Sequence, residues 1–135
     1  MPATITPYIN FGGSAREAMT LYHDIFGGNL EMQTFEQAGH VPDGVEGDKI
    51  MHSSLSGAEG LALMASDAMP FDAGDTVCIA LTGDDYPAME ARWNRLIEDG
   101  EVLEPLATAP WGDSFGMCRD RFGLRWLINV AAARG

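Results

Sequence analysis

Basic residues are scarce in this chain: eight Lys and Arg stand against twenty Asp and Glu, for a formal net charge of -12. Binding a polyanion relies on Lys and Arg to displace counterions, so this balance argues against a nucleic-acid partner. It argues equally against an anionic membrane surface. Cysteine is nearly absent as well, and two residues, Cys78 and Cys118, do not make a disulfide framework. No apolar run approaches the ~20 residues that a membrane-spanning helix needs. No basic, apolar, small-residue sequence opens the chain, so a secretory signal is not expected. A reducing cytoplasm is the expected location.

What is present suits one compact domain over residues 1–135. The chain is 46% hydrophobic and 21% charged, and its length allows a buried core without disulfide or metal staples. Three of its basic residues, Arg119, Arg121 and Arg125, lie close together. They either offset neighbouring carboxylates or bind an anion, since arginine forks suit carboxylates and phosphates.

The opening TITPYINF reads as a strand, and Pro7 marks it as an edge or strand end. Gly12 and Gly13 break it. Ser14 then reads as an N-cap, with Glu17 completing a capping box. The helix runs to about Phe26 with the apolar face Ala15, Ala18, Met19, Tyr22, Ile25 and Phe26. Gly27 and Gly28 stop it. A strand follows over Leu30–Phe35, then a Gly-, Pro- and Asp-rich loop, Gln37–Asp48, long enough to line a site. Strands Ile50–Leu55 and Leu61–Ala65 come next, joined by a turn, and a second loop carries Met69, Pro70, Gly74 and Asp75.

TVCIALTG is mostly apolar and reads as a strand buried on both faces. Asp84 or Asp85 caps a helix to about Glu98, with the face Tyr86, Met89, Trp93, Leu96 and Ile97. Strands follow over Glu101–Leu106, Ser114–Arg119 and Leu124–Val130, with DRFG as the hairpin between the last two. A shift of 71 residues superimposes the two helices and places Pro7 on Cys78 and Ile9 on Ala80. The chain thus reads as a duplicated βαβββ unit, 1–68 and 72–135. One such half leaves a sheet face exposed and needs a partner to cover it.

The stretches TPYINFGGSAREAMTLYHDIFGG, KIMHSSL, LALMASD and WGDSFGMCRDRFGLRWLIN resemble the glyoxalase/bleomycin-resistance, or vicinal-oxygen-chelate, superfamily, and more narrowly its PhnB-like branch. The resemblance covers nearly the whole chain. It implies an α+β fold of two βαβββ modules whose curved mixed sheets enclose a cup-shaped pocket, and a homodimer. Metalloenzymes of the superfamily carry His or Glu ligands on the first strand of each module and on later strands. Those positions correspond here to Pro7, to His52 or Ser54, to Cys78 and to Leu127. Pro7 and Leu127 offer no donor, and a catalytic zinc needs about three protein ligands, so no metal site and no cofactor are expected.

Candidate ligand-binding residues are His52, Cys78, Trp111, Phe115 and Asn129. His52 is a polar contact or general base in the pocket, or a hydrogen-bonded sheet histidine. Cys78 is a nucleophile only if a base or cation lowers its pKa, and otherwise a small buried hydrophobe. Trp111 and Phe115 cap the pocket or pack on a partner subunit. Asn129 shares strand parity with Arg125 and Leu127. His23 and His40 read as exposed, and Met64 and Met117 as linings of an adaptable cavity. The leading expectation is a small-molecule-binding protein. The alternative is a divalent-metal-dependent lyase, isomerase or dioxygenase that uses His52 and Cys78. The methyltransferase name common on PhnB-like sequences finds no Gly-rich nucleotide-binding loop here.

Overall fold

A computed structural model describes residues 5–57, 60–67 and 77–132. The chain divides into two compact units, Met1–Asp72 and Ala73–Gly135. The first carries β1 (Tyr8–Asn10), α1 (Ala15–Phe26), β2 (Asn29–Thr34), α2 (Phe35–Ala38), β3 (Ile50–Ser56) and β4 (Ala62–Ser66). The second carries β5 (Ile79–Gly83), α3 (Tyr86–Ile97), β6 (Glu101–Thr108), β7 (Ser114–Arg119) and β8 (Arg125–Val130). Each unit holds one four-stranded mixed sheet. The orders β1-β4-β3-β2 and β5-β8-β7-β6 are the same topology written twice. In both, the first strand lies at the sheet edge, parallel to the last, and the remaining pairs are antiparallel.

Each helix lies against one face of its own sheet. In the first unit Ala15, Ala18, Met19 and Tyr22 are buried with Ser53, Leu55, Leu63 and Ala65. In the second, Met89, Trp93 and Leu96 are buried with Cys118, Trp126 and Ile128. The helix spacing predicted these buried residues, but Ile25, Phe26 and Ile97 are only half-buried and Tyr86 stays 38% exposed. Gly116 lets α3 approach: a Cβ there would meet Trp93 Cη2 at 3.0 Å and Leu106 Cα at 2.9 Å.

Several expectations need correction. Ser14 makes no side-chain cap bond. The N-terminus of α1 is instead held by Asp67, whose Oδ1 accepts from Gly13 N (2.7 Å) and Ala15 N (3.0 Å). Its Oδ2 accepts from Ile50 N at 3.0 Å. In α3 the capping residue is Asp85, which accepts from Ala88 N. Phe35 does not end a strand. It opens the short helix α2, set by a Thr34–Gln37 capping box, so the loop begins later than expected. TVCIALTG is not buried on both faces. Along β5 half-buried and exposed residues alternate, as an edge strand allows. The second loop's Met69, Pro70, Gly74 and Asp75 lie outside the described residues.

The shift of 71 holds for the helices, Ala15–Phe26 against Tyr86–Ile97. It does not hold for the strands before them. Ile9 pairs with the buried Ala65 on the helix side of its sheet, while Ala80 pairs with Leu127 on the opposite side. Successive side chains in a strand point to opposite faces, so a slip of one residue exchanges the faces. Ile9 is therefore not the counterpart of Ala80.

Candidate functional site

Each sheet has an open face, turned away from its own helix. In the first unit one row across this face is Tyr8, Met64, Ser54 and Glu31. His52 lies two residues from Ser54 on the same side. Its half-buried ring stacks on Tyr8, with centroids 6.0 Å apart and an angle of 27°. The β1 residue that meets His52 is thus Tyr8 rather than Pro7, whose carbonyl accepts from Met64 N at 2.9 Å.

The second unit has two corresponding rows: Ala80, Leu127 and Met117, then Thr82, Asn129 and Phe115. Phe115, two residues before Met117, lies on the open face of its sheet, as His52 does in the first unit.

Three of the five candidates come together. Phe115 and Asn129 are direct cross-strand partners. The turn before β7 brings Trp111 edge-on to Phe115, with centroids 5.9 Å apart and an angle of 69°. Trp111 is 63% exposed. The remaining member of the cluster, Asp113, was missed in the sequence. Its Oδ2 accepts from Asn129 Nδ2 at 3.2 Å and its Oδ1 from Ala132 N at 2.9 Å. The same turn is closed by Ala109 N to Asp113 O at 2.7 Å and Gly112 N to Ala109 O at 2.9 Å. Only the Asp-Ser spacing at a strand entry hints at Asp113, since such carboxylates cap turns. An ionised carboxylate can only accept, so Asn129 must turn its amide nitrogen to Asp113. That orientation leaves Oδ1 of Asn129 as an acceptor. An edge-to-face aromatic pair beside a fixed amide suits a flat, partly apolar molecule with one N–H or O–H donor.

The other two candidates are described separately. His52 belongs to the first unit, and Cys78 immediately precedes β5, half-buried. Cys118 is buried against α3, and burial, with the Asp120 carboxylate second, pushes its thiol up to about 12. A neutral thiol is a poor nucleophile. At pH 8 a thiol reagent is expected to modify Cys78 alone in the native protein and both cysteines in urea. The unfolded Cys118 ionises near its ordinary pKa of ~8.5, whereas the folded one holds its proton. Between those limits the folded state binds more protons, so this contribution to stability is lost as pH rises.

No group of three or more His, Cys, Asp or Glu residues converges among the described residues. Ala80 and Leu127 offer no donor on the second open face, and Met64 and Ser54 flank His52 on the first. These residues do not suit the three-ligand divalent site of the superfamily's metalloenzymes. His23 and His40 are exposed, and the His23 ring lies 3.2 Å from Gly28 O.

Known proteins share this fold. The family model described as 3-demethylubiquinone-9 3-methyltransferase matches residues 3–129. Protein PA1353 from Pseudomonas aeruginosa is 38% identical, with a TM-score of 0.87 over 98% of this chain and 100% of that one. Protein YjdN of Escherichia coli (strain K12) is 27% identical, over 93% of this chain and 94% of its own. A glyoxalase/bleomycin resistance protein/dioxygenase from Nocardioides shares the fold at 17% identity and a TM-score of 0.59, over 100% of this chain and 87% of that one. The chain belongs to the family described as 3-demethylubiquinone-9 3-methyltransferase, and it has the fold of the glyoxalase/bleomycin resistance protein/dioxygenase structure.

Proposed function

We propose that this protein binds a small organic molecule on the open face of its second sheet, and does so without a metal ion. The observation that carries the reading is the convergence of Trp111, Phe115 and Asn129, with Asn129 held by Asp113. Met117 and Leu127 extend that face as an apolar floor. Methyl transfer forms no part of the reading. The N-termini of both long helices are already occupied by carboxylates, Asp67 and Asp85, where a strand-to-helix cofactor turn would present free amides.

The protein as purified, without tag or chelator, is expected to carry far less than one divalent metal per chain by plasma mass spectrometry. It is also expected to gain thermal stability with members of a small-molecule library in the presence of a chelator. Stoichiometric metal would turn the reading to a metal-dependent lyase, isomerase or dioxygenase and make His52→Ala and Cys78→Ala the next variants.

Trp111→Ala is expected to weaken a library ligand about tenfold, the scale of a lost aromatic contact of ~1.4 kcal/mol. The melting temperature without ligand should stay nearly unchanged, because the side chain is mostly exposed. Unchanged ligand affinity would remove Trp111 from the site. We further propose a homodimer, supported by the edge strands of both sheets, and a cytoplasmic location, supported by two free cysteines. No helix among the described residues is long and apolar enough to cross a membrane.

A further inference from the structure

Along β7 the open face runs Phe115, Met117, Arg119, and along β8 it runs Asn129, Leu127, Arg125. Each residue is paired directly across: Phe115 with Asn129, Met117 with Leu127, Arg119 with Arg125. The face therefore passes from an aromatic and amide end, over an apolar middle, to a cationic end. Arg119 and Arg125 thus stand side by side on this face, with Glu101 opposite Arg119 on the neighbouring strand β6.

All three clustered arginines have interaction partners. Arg121, on the hairpin, makes ion pairs with Glu98 at 3.4 Å and Asp99 at 4.0 Å, an ordinary surface role. Arg119 has Glu101 at 3.8 Å, but that carboxylate is 62% exposed, and such pairs are weak. Glu104 borders the same face opposite Met117 and is also exposed. A ligand carboxylate brought between two half-buried arginine forks would lose less to water than these side chains do.

We propose that Arg119 and Arg125 form the anion-recognising end of this site, and that its ligand is an elongated organic carboxylate. The carboxylate lies between the two guanidiniums, the body over Met117 and Leu127, and a ring against Phe115 and Trp111. The span from the Phe115 row to the Arg119 row is four residues, about 13 Å at ~3.3 Å per residue. This assignment rests on the binding reading above and adds the ligand's chemical class.

Trp111 supplies the readout. It is 63% exposed, while Trp93 and Trp126 are 6% and 1% exposed, so quenching of the red-shifted emission reports on this face. The probes are ω-aryl alkanoic acids of increasing chain length reaching about 13 Å, each paired with its primary amide. At least one acid is expected to bind tenfold or more tightly than its amide. Arg119→Gln and Arg125→Gln should each abolish that preference while keeping the amide's affinity and the unliganded melting temperature. Arg125→Lys, which keeps the charge without the fork, should retain part of the preference. If acids and amides bind alike, or the preference survives both Gln variants, the anion assignment fails and the binding reading stands. If no acid or amide quenches Trp111, both fail.

Discussion

Asp67→Ala is expected to destabilise the protein by about 4 kcal/mol, the largest effect of any single polar substitution described. Asp67 is 8% exposed, and its two carboxylate oxygens accept three backbone N–H bonds, from Gly13, Ala15 and Ile50. Alanine would strand three donors, two of them buried, at roughly 1–3 kcal/mol each before local relaxation. It would also remove a negative charge from the positive end of α1. Small domains have only ~5–15 kcal/mol of stability, so the urea midpoint followed by circular dichroism should fall steeply. Ser14→Ala is the matched control. Ser14 stands at the N-cap but makes no side-chain cap bond, so its removal should cost less than about 0.5 kcal/mol. A Ser14→Ala loss as large as that of Asp67→Ala would show that the cap is local after all.

Asp120→Ala is expected to cost about 3 kcal/mol. Asp120 is buried at the β7–β8 hairpin, and its Oδ1 accepts from Phe122 N at 2.9 Å and Leu124 N at 3.1 Å. Its Oδ2 accepts from Trp126 Nε1 at 2.9 Å, fixing a ring that is almost fully buried against α3. The variant leaves an indole N–H and two turn amides without an acceptor. Tryptophan emission gives an independent reading, since Trp126 should shift in wavelength even below the unfolding transition. A wild-type urea midpoint with unchanged emission would mean that the hairpin holds its shape without the carboxylate. The same substitution removes one of the two causes that raise the Cys118 pKa, leaving burial as the main one.

The elements themselves were legible because their signals are local. Apolar spacing placed both long helices, with α1 over Ala15–Phe26 and α3 over Tyr86–Ile97. The DRFG tetrapeptide announced the β7–β8 hairpin, which the structure closes with Asp120 N to Leu124 O at 2.8 Å. Helix α2 was missed although its signature was present: Thr34 and Gln37 are a capping box, overshadowed by the β-favouring residues before them. In the candidate site, Phe115 and Asn129 were named singly. Their pairing depends on the β7–β8 register, and Asp113 enters only because a turn brings it back to Asn129 across 16 residues.

The sequence by itself determined that this chain is an acidic, duplicated α+β protein, because composition, turn chemistry and helical period are properties of neighbours along the chain. Its likeness to the PhnB-like branch could also be read there. Tertiary structure alone decided which residues share a face. A carboxylate 52 residues away caps α1. A slip of one residue sets Tyr8, rather than Pro7, beside His52, and cross-strand pairing puts Arg119 opposite Arg125. Register and long-range hydrogen bonds join residues distant in sequence, and strand alternation turns each one-residue choice into a choice of face.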